Sequence, residues 1–146
     1  MFYNSWNMQE IIRTLDDMEI LDEFSKHENP EFRFNCLLNA SIPLEMVLRL
    51  CIDKDRLVKQ KAATNTKLTP LHIIRLSRDY PMDAYLASGL AKNPNCPLEL
   101  QHELADHPNW IVREFLAYNP NCFPELREKL KNDENEVVRS AANNFF

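Results

Sequence analysis

The sequence predicts an all-α protein, an α-solenoid of about four and a half short helical repeats behind an N-terminal helical cap. Three observations carry that expectation. Pro43, Pro70, Pro97 and Pro124 recur every 27 residues, and a fixed period of about 20–50 residues marks chains whose units pack only on their neighbours. An asparagine precedes each proline by four or five residues: Asn39, Asn65, Asn93 and Asn119. After each proline, apolar residues fall at helical spacing.

The elements follow in order. Residues 1–26 lack the repeat punctuation, but Met8, Ile11, Ile12, Leu15 and Met18 share a helical face with Asp16, Asp17 and Glu19 interspersed. This predicts an amphipathic helix, broken near residues 16–19, that caps the first repeat. The repeat domain spans 27–146, with units over 27–52, 53–78, 79–105 and 106–131 and a truncated fifth over 132–146. First helices are expected over Pro30–Leu38, Arg56–Thr64, Asp83–Lys92 and Asn109–Tyr118. Second helices begin at each proline and run about nine residues, with Met46, Val47 and Leu50, Ile73, Ile74 and Leu76, Leu100 and Leu104, and Leu126 and Leu130 facing inward. Helices this short need stacking to persist.

The punctuation has a physical reading. The chain holds one glycine, Gly89, so the usual helix stop is scarce. Asparagine is the next residue to accept the left-handed conformation that ends helices, and the four asparagines are expected there. Proline suits the first turn of the following helix, where its missing N–H costs nothing. Thr69 is placed to cap the helix at Pro70, and Glu45, Glu99 and Glu125 set negative charge near the positive helix ends.

Composition bounds the function. A chain of 146 residues, 45% hydrophobic, suffices for one domain with a continuous core. Net charge is −5 and the pI near 5.4, which opposes general nucleic-acid binding, since that affinity comes from neutralising phosphates. The opening residues show no basic stretch leading into an apolar run, and no run reaches membrane-spanning length. With four cysteines and no secretory signal, a reducing, cytoplasmic setting is expected.

The stretch DHPNWIVREFLAYNPNCFPELREKL, Asp106 to Leu130, resembles the variant leucine-rich repeat, a relative of HEAT repeats: an acidic start, Val-Arg, a small residue near Asn-Pro, then Pro-Glu-Leu. Val138-Arg139 and NPNCPLEL (Asn93 to Leu100) extend the resemblance. Phe32-Arg33 and Val58-Lys59 stand for Val-Arg in the earlier units, which lack the Asn-Pro pair. The resemblance covers residues 27–146 and implies a right-handed superhelix of alternating α-helical and shorter, partly 3₁₀ elements. The founding member of that family is associated with an iron–sulfur cluster on N-terminal cysteines. This chain has no cysteine before Cys36, so that property does not carry over.

Charged and nucleophilic residues are the candidates for chemistry. Arg33, Lys59, Arg113 and Arg139 recur once per unit, interrupted at Ala87. In related helical repeats such an arginine bonds to acidic turn residues, here Asp53, Asp106 and Asp133, so the ladder reads as structural rather than as a phosphate stripe. Cys96 and Cys122 occupy matching positions in adjacent repeats. Packed helices lie about 8–10 Å apart and a disulfide needs Cα atoms within about 7 Å, so buried free thiols are expected. No closely spaced cysteine pair suggests a metal. His102, Glu103, Asp106 and His107 are the densest ligand-capable cluster, but they end a helix at a turn where polar residues belong. With no Gly-rich phosphate loop, nucleophile elbow or H-E-x-x-H, neither catalysis nor cofactor or metal binding is expected.

Binding is the remaining expectation. Residues one turn apart share a helix side, and one first-helix stripe changes chemistry from unit to unit: Pro30, Phe34 and Leu38; Arg56, Gln60 and Thr64; Ser88 and Lys92; Trp110, Glu114 and Tyr118. Phe34, Leu38, Arg56, Gln60, Lys92, Trp110, Glu114 and Tyr118 are the candidate partner-binding residues. The competing reading packs Trp110 and Tyr118 on an adjoining rung. The expected function is protein–protein interaction by an adaptor, inhibitor or immunity-type binder acting by occlusion. The alternative is a nucleic-acid-binding module, such as the HEAT-like solenoids that excise damaged bases. At the other end, Phe145-Phe146 follow a lone first helix. They either fold back on the fourth repeat, the favoured outcome, or pair two chains in a homodimer.

Overall fold

The computed structural model describes residues 5–144. Among them the chain is all-helical: α1 (Ser5–Thr14), α2 (Met18–Ser25), α3 (Pro30–Cys36), α4 (Leu44–Leu50), α5 (Arg56–Ala63), α6 (Pro70–Asp79), α7 (Ala84–Lys92), α8 (Leu98–Ala105), α9 (Trp110–Ala117), α10 (Pro124–Leu130) and α11 (Glu136–Asn143). Packing is sequential. α1, α3, α5, α7, α9 and α11 stack as one layer, while α2 meets α4 and α8 meets α10 behind it. The arrangement is that of a helical repeat array. No described helix is long and apolar enough to cross a membrane.

The N-terminal segment breaks as expected, between Thr14 and Met18, because the Asp17 carboxylate accepts from the N–H groups of Glu19 and Ile20 and starts a new helix. Each odd-numbered helix from α3 onward is capped in the same way, by Asn29, Asp55, Asp83, Asn109 and Asn135. Thr69 caps α6. The proline rings lie at the N-cap of α4 and α8 and within the first turn of α6 and α10, so Pro43 and Pro97 stand one step earlier than expected. Both elements of each unit are α-helical, and no 3₁₀ helix occurs among the described residues. Bonds of 3₁₀ type occur at helix ends, as from Leu37 N–H to Phe34 O, and in the connecting turns, as from Cys96 N–H to Asn93 O.

The asparagines do not adopt the left-handed conformation; no described residue has a positive φ. Their role is tertiary. Asn39, Asn93 and Asn119 are buried, and each amide nitrogen donates to two carbonyls of the preceding unit: Asn39 to Ile12 and Leu15 (2.8 and 2.9 Å), Asn93 to Ala63 and Asn65 (both 2.9 Å), Asn119 to Ala91 and Asn93 (both 2.8 Å). Each amide oxygen accepts from the N–H two residues on, at Ser41, Asn95 and Asn121, and Asn65 receives Lys67 N–H likewise. One side chain thus satisfies the free carbonyls of one helix end and the turn that follows the next.

The core is one continuous cluster running through both layers. Val58, Leu86, Val112 and Val138 are buried at equivalent points of α5, α7, α9 and α11. Ile42, Leu68, Cys96 and Cys122 are equivalent too, each three residues after the asparagine and buried. The two cysteines therefore fill positions that aliphatic side chains take elsewhere. All four thiols are free and buried, and burial pushes those of Cys36, Cys51 and Cys96 up to about 12.

The charge ladder is built largely as expected. Arg33 donates to both oxygens of Asp53 (2.8 and 2.9 Å) and to the carbonyls of His27 and Glu28. Arg113 repeats this with Asp133, His107 and Pro108. Two rungs differ. Lys59 reaches Asp83 at 2.6 Å, because Pro81 stands where the acid would be. Asp106 is not a ladder acid: it is exposed and pairs with Lys129 at 2.5 Å, while His107 stands at the position that Asp53 and Asp133 take in their units. Phe145 and Phe146, and with them the expected fold-back or pairing, lie outside the described residues.

Candidate functional site

On the odd-helix layer, Phe34 of α3, Leu57, Gln60 and Lys61 of α5, Thr64 at its end, Lys92 of α7 and Phe115 of α9 line one depression of about 310 Å³. Four successive helices border the same hollow, so the layer is concave there. A second hollow of about 370 Å³ adjoins it, shares Phe34 and Leu57, and extends to Gln9 and Arg13 of α1. Together they form a groove running across α1, α3, α5, α7 and α9.

Local sequence explains the groove floor. Gly89 lets α7 approach α5 closely: a Cβ there would lie 2.3 Å from the Gln60 carbonyl oxygen and 2.5 Å from Ala63 Cβ. Across this contact Gln60 Nε2 donates to Ser88 Oγ at 2.7 Å, and Ser88 Oγ donates to the Tyr85 carbonyl at 2.8 Å. The apolar walls are Phe34, Leu57 and Phe115, with Leu57 55% exposed. The charges lining the first hollow are two lysines. Lys92 Nζ lies 5.8 Å from the Phe115 ring centre. Among the described residues neither Lys61 nor Lys92 has a carboxylate partner, and no carboxylate lines that hollow.

Three of the eight expected residues, Phe34, Gln60 and Lys92, meet in this groove. Arg56 instead covers Tyr85, with its guanidinium 5.6 Å from the ring centre and Nη1 3.2 Å from the hydroxyl. Leu38, Trp110 and Tyr118 are exposed outside the hollow, at 36%, 39% and 41%, so the two aromatics are not core residues. Glu114 is half-buried on α9, where burial pushes its carboxyl up. Leu57, Lys61 and Phe115 lie outside the expected stripe. They stand one residue along from the stripe members Arg56, Gln60 and Glu114, and line the hollow beside Phe34, Gln60 and Lys92. The alternation of Leu57 with Lys61 and the aromatic at Phe115 were the available signals.

The other chemical candidates disperse. Glu103 is held by Arg78 through two bonds of 2.7 Å, Asp106 by Lys129, and His107 Nδ1 accepts from Asn109 N–H at 3.0 Å. His102 lies beside the Phe123 ring. Among the described residues no group of three or more ligand-type side chains converges on a point. Comparison with protein-family models, curated proteins and solved structures gives no match.

Proposed function

We propose that this chain is a non-catalytic protein-binding solenoid that acts by occlusion, as an adaptor, inhibitor or immunity-type binder. In this reading the helical array is a right-handed α-solenoid of the variant leucine-rich repeat or HEAT-like kind, with about four and a half units on the N-terminal cap. The observation that carries it is the groove: an exposed Leu57 between the half-buried rings of Phe34 and Phe115, with Lys61 and Lys92 lacking carboxylate partners among the described residues. Apolar anchors beside unpaired charge favour a protein segment that supplies both apolar and acidic groups. The test uses Leu57→Glu combined with Lys92→Glu, both at exposed positions. Immobilised wild-type and variant proteins are exposed to the same host extract and the retained proteins quantified. Partners held by the wild type should be lost from the variant; retention of the same set by both overturns the reading. A duplex-DNA titration on the wild type distinguishes the nucleic-acid alternative, which requires affinity falling steeply with salt.

A further inference from the structure

The side-chain amides and hydroxyl that line the groove are already engaged within the chain. Gln60 Nε2 donates to Ser88 Oγ at 2.7 Å and Thr64 Oγ1 to the Lys61 carbonyl at 2.6 Å. Asn35 Nδ2 donates to the Glu31 carbonyl at 2.7 Å, and Asn35 Oδ1 accepts from Arg13 Nε at 2.7 Å. Gln9 Nε2 meets Glu31 Oε2 at 3.4 Å. An extended peptide turns backbone N–H and C=O groups toward the surface that covers it, and each must find a partner there. This lining has no row of free amides to meet them. A helix satisfies its backbone internally and presents only side chains.

Charge on the lining is divided. Lys61 of α5 and Lys92 of α7 have no carboxylate partner among the described residues. Toward α1 the adjoining hollow carries Glu31 and Asp55 beside Arg13, with the Asp55 carboxylate capping α5. The chain as a whole carries −5, so the stretch over α5 and α7 runs against the average and favours acids in an occupant. Leu57, with the half-buried rings of Phe34 and Phe115, provides apolar contact along the same line. From α3 to α9 there are three helix-to-helix steps, about 24–30 Å at 8–10 Å each, which a helix of about 16–20 residues spans.

We propose that the groove receives an amphipathic α-helix of a partner protein, with its apolar stripe on Leu57, Phe34 and Phe115 and acidic residues flanking that stripe opposite Lys61 and Lys92. Such an occupant presupposes the protein-binding reading and adds to it the form of the segment, helical rather than extended, and the place of its acids.

The test selects phage-displayed random peptides of about 18 residues on the immobilised full chain. Enriched sequences should carry apolar residues at i, i+3 or i+4 and i+7, with Asp or Glu beside them and no internal proline. The best peptide is then synthesised and its affinity measured by fluorescence anisotropy. A proline placed mid-peptide on its polar face should weaken binding at least about tenfold, because proline breaks a helix interior. Combining Lys61→Glu with Lys92→Glu in the chain should weaken it about tenfold. The peptide with its acids changed to Gln or Asn should lose as much on the wild type, so the charge pairing is tested even if the chain variant does not fold. No enrichment, enrichment of basic, proline-rich or aperiodic sequences, or equal affinity for the proline or amide peptide overturns the proposal. Loss of extract proteins from the Leu57→Glu, Lys92→Glu variant without helical enrichment leaves the protein-binding reading standing and removes the helix alone.

Discussion

At the residue scale, the buried asparagines join the repeats more directly than the prolines that mark them. The Asn119 amide serves two carbonyls of the previous unit and one N–H of its own turn. Valine is close in size but supplies none of these bonds, and a buried polar group left unpaired costs about 1–3 kcal/mol. Asn119→Val should therefore lower the unfolding free energy by about 3 kcal/mol or more, measured by urea denaturation. A loss below about 1 kcal/mol would mean that water replaces the amide. The reason differs from the one the sequence suggests: Asn119 is needed for what its side chain reaches, not for a left-handed backbone. Further along, the Ala117 and Asn119 carbonyls accept from the Arg127 guanidinium, at 2.8 Å for Asn119, so at this unit an arginine does the work of the next asparagine.

At the scale of elements, α5 and α7 approach most closely where Gly89 faces Gln60 and Ala63. Within a helix, alanine is better than glycine by about 1 kcal/mol, so an exposed Gly→Ala change would stabilise. At Gly89 the new methyl meets backbone and a neighbouring Cβ, neither of which has a rotamer to escape into. Gly89→Ala should cost about 2 kcal/mol net, as overpacking usually does. It should also loosen the Gln60–Ser88 bond beneath the groove, visible as faster amide exchange in α5. A stabilised variant would show that α5 shifts freely. Pro97 is the contrasting case: it occupies the N-cap of α8 and makes no side-chain capping bond. Pro97→Ala should cost about 1 kcal/mol or less, chiefly through a more flexible unfolded chain, and a larger loss in the melting transition would give the ring a packing role.

At the scale of the whole molecule, the rungs couple stability to pH. The Arg113 hydrogen bonds hold the Asp133 carboxyl below the ordinary 3.8. For Asp83 burial works the other way, but the Leu86 N–H and Lys59 outweigh it and the net shift is also downward. A carboxylate whose folded value is depressed adds stability that is complete above about 3.8 and is lost as pH falls through that folded value. His107 is held below its ordinary 6.5, mainly by burial. Its contribution has the same sign, complete above about 6.5 and lost as pH falls through its lowered value. Urea stability should be level near neutrality, decline gently on acidification below about pH 6.5, and fall steeply below about 4. Asn at position 107 can accept the same turn N–H that Asp53 and Asp133 accept in their units. His107→Asn should therefore remove the gentle limb and leave the steep one, whereas an unchanged profile would assign that limb to other groups.

The sequence by itself determined the helical repeat, its period and the order of its elements, because caps, prolines and apolar spacing act within a few residues of one another. Asp17, Thr69 and Asn109 work through N–H groups two or three residues away, and that range is visible in the one-dimensional pattern. The Arg33–Asp53 and Arg113–Asp133 rungs were legible for a related reason: their 20-residue separation repeats. Tertiary structure alone decided which residues face the groove. Phe34 and Phe115 are 81 positions apart in sequence yet line one hollow, through the sequential stacking of α3, α5, α7 and α9. How closely neighbouring units stack depends on residues such as Gly89, whose missing side chain admits Gln60 and Ala63 of the unit before it. Packing between units likewise put Phe115 rather than Glu114 in the lining and left a hollow beside Ala87.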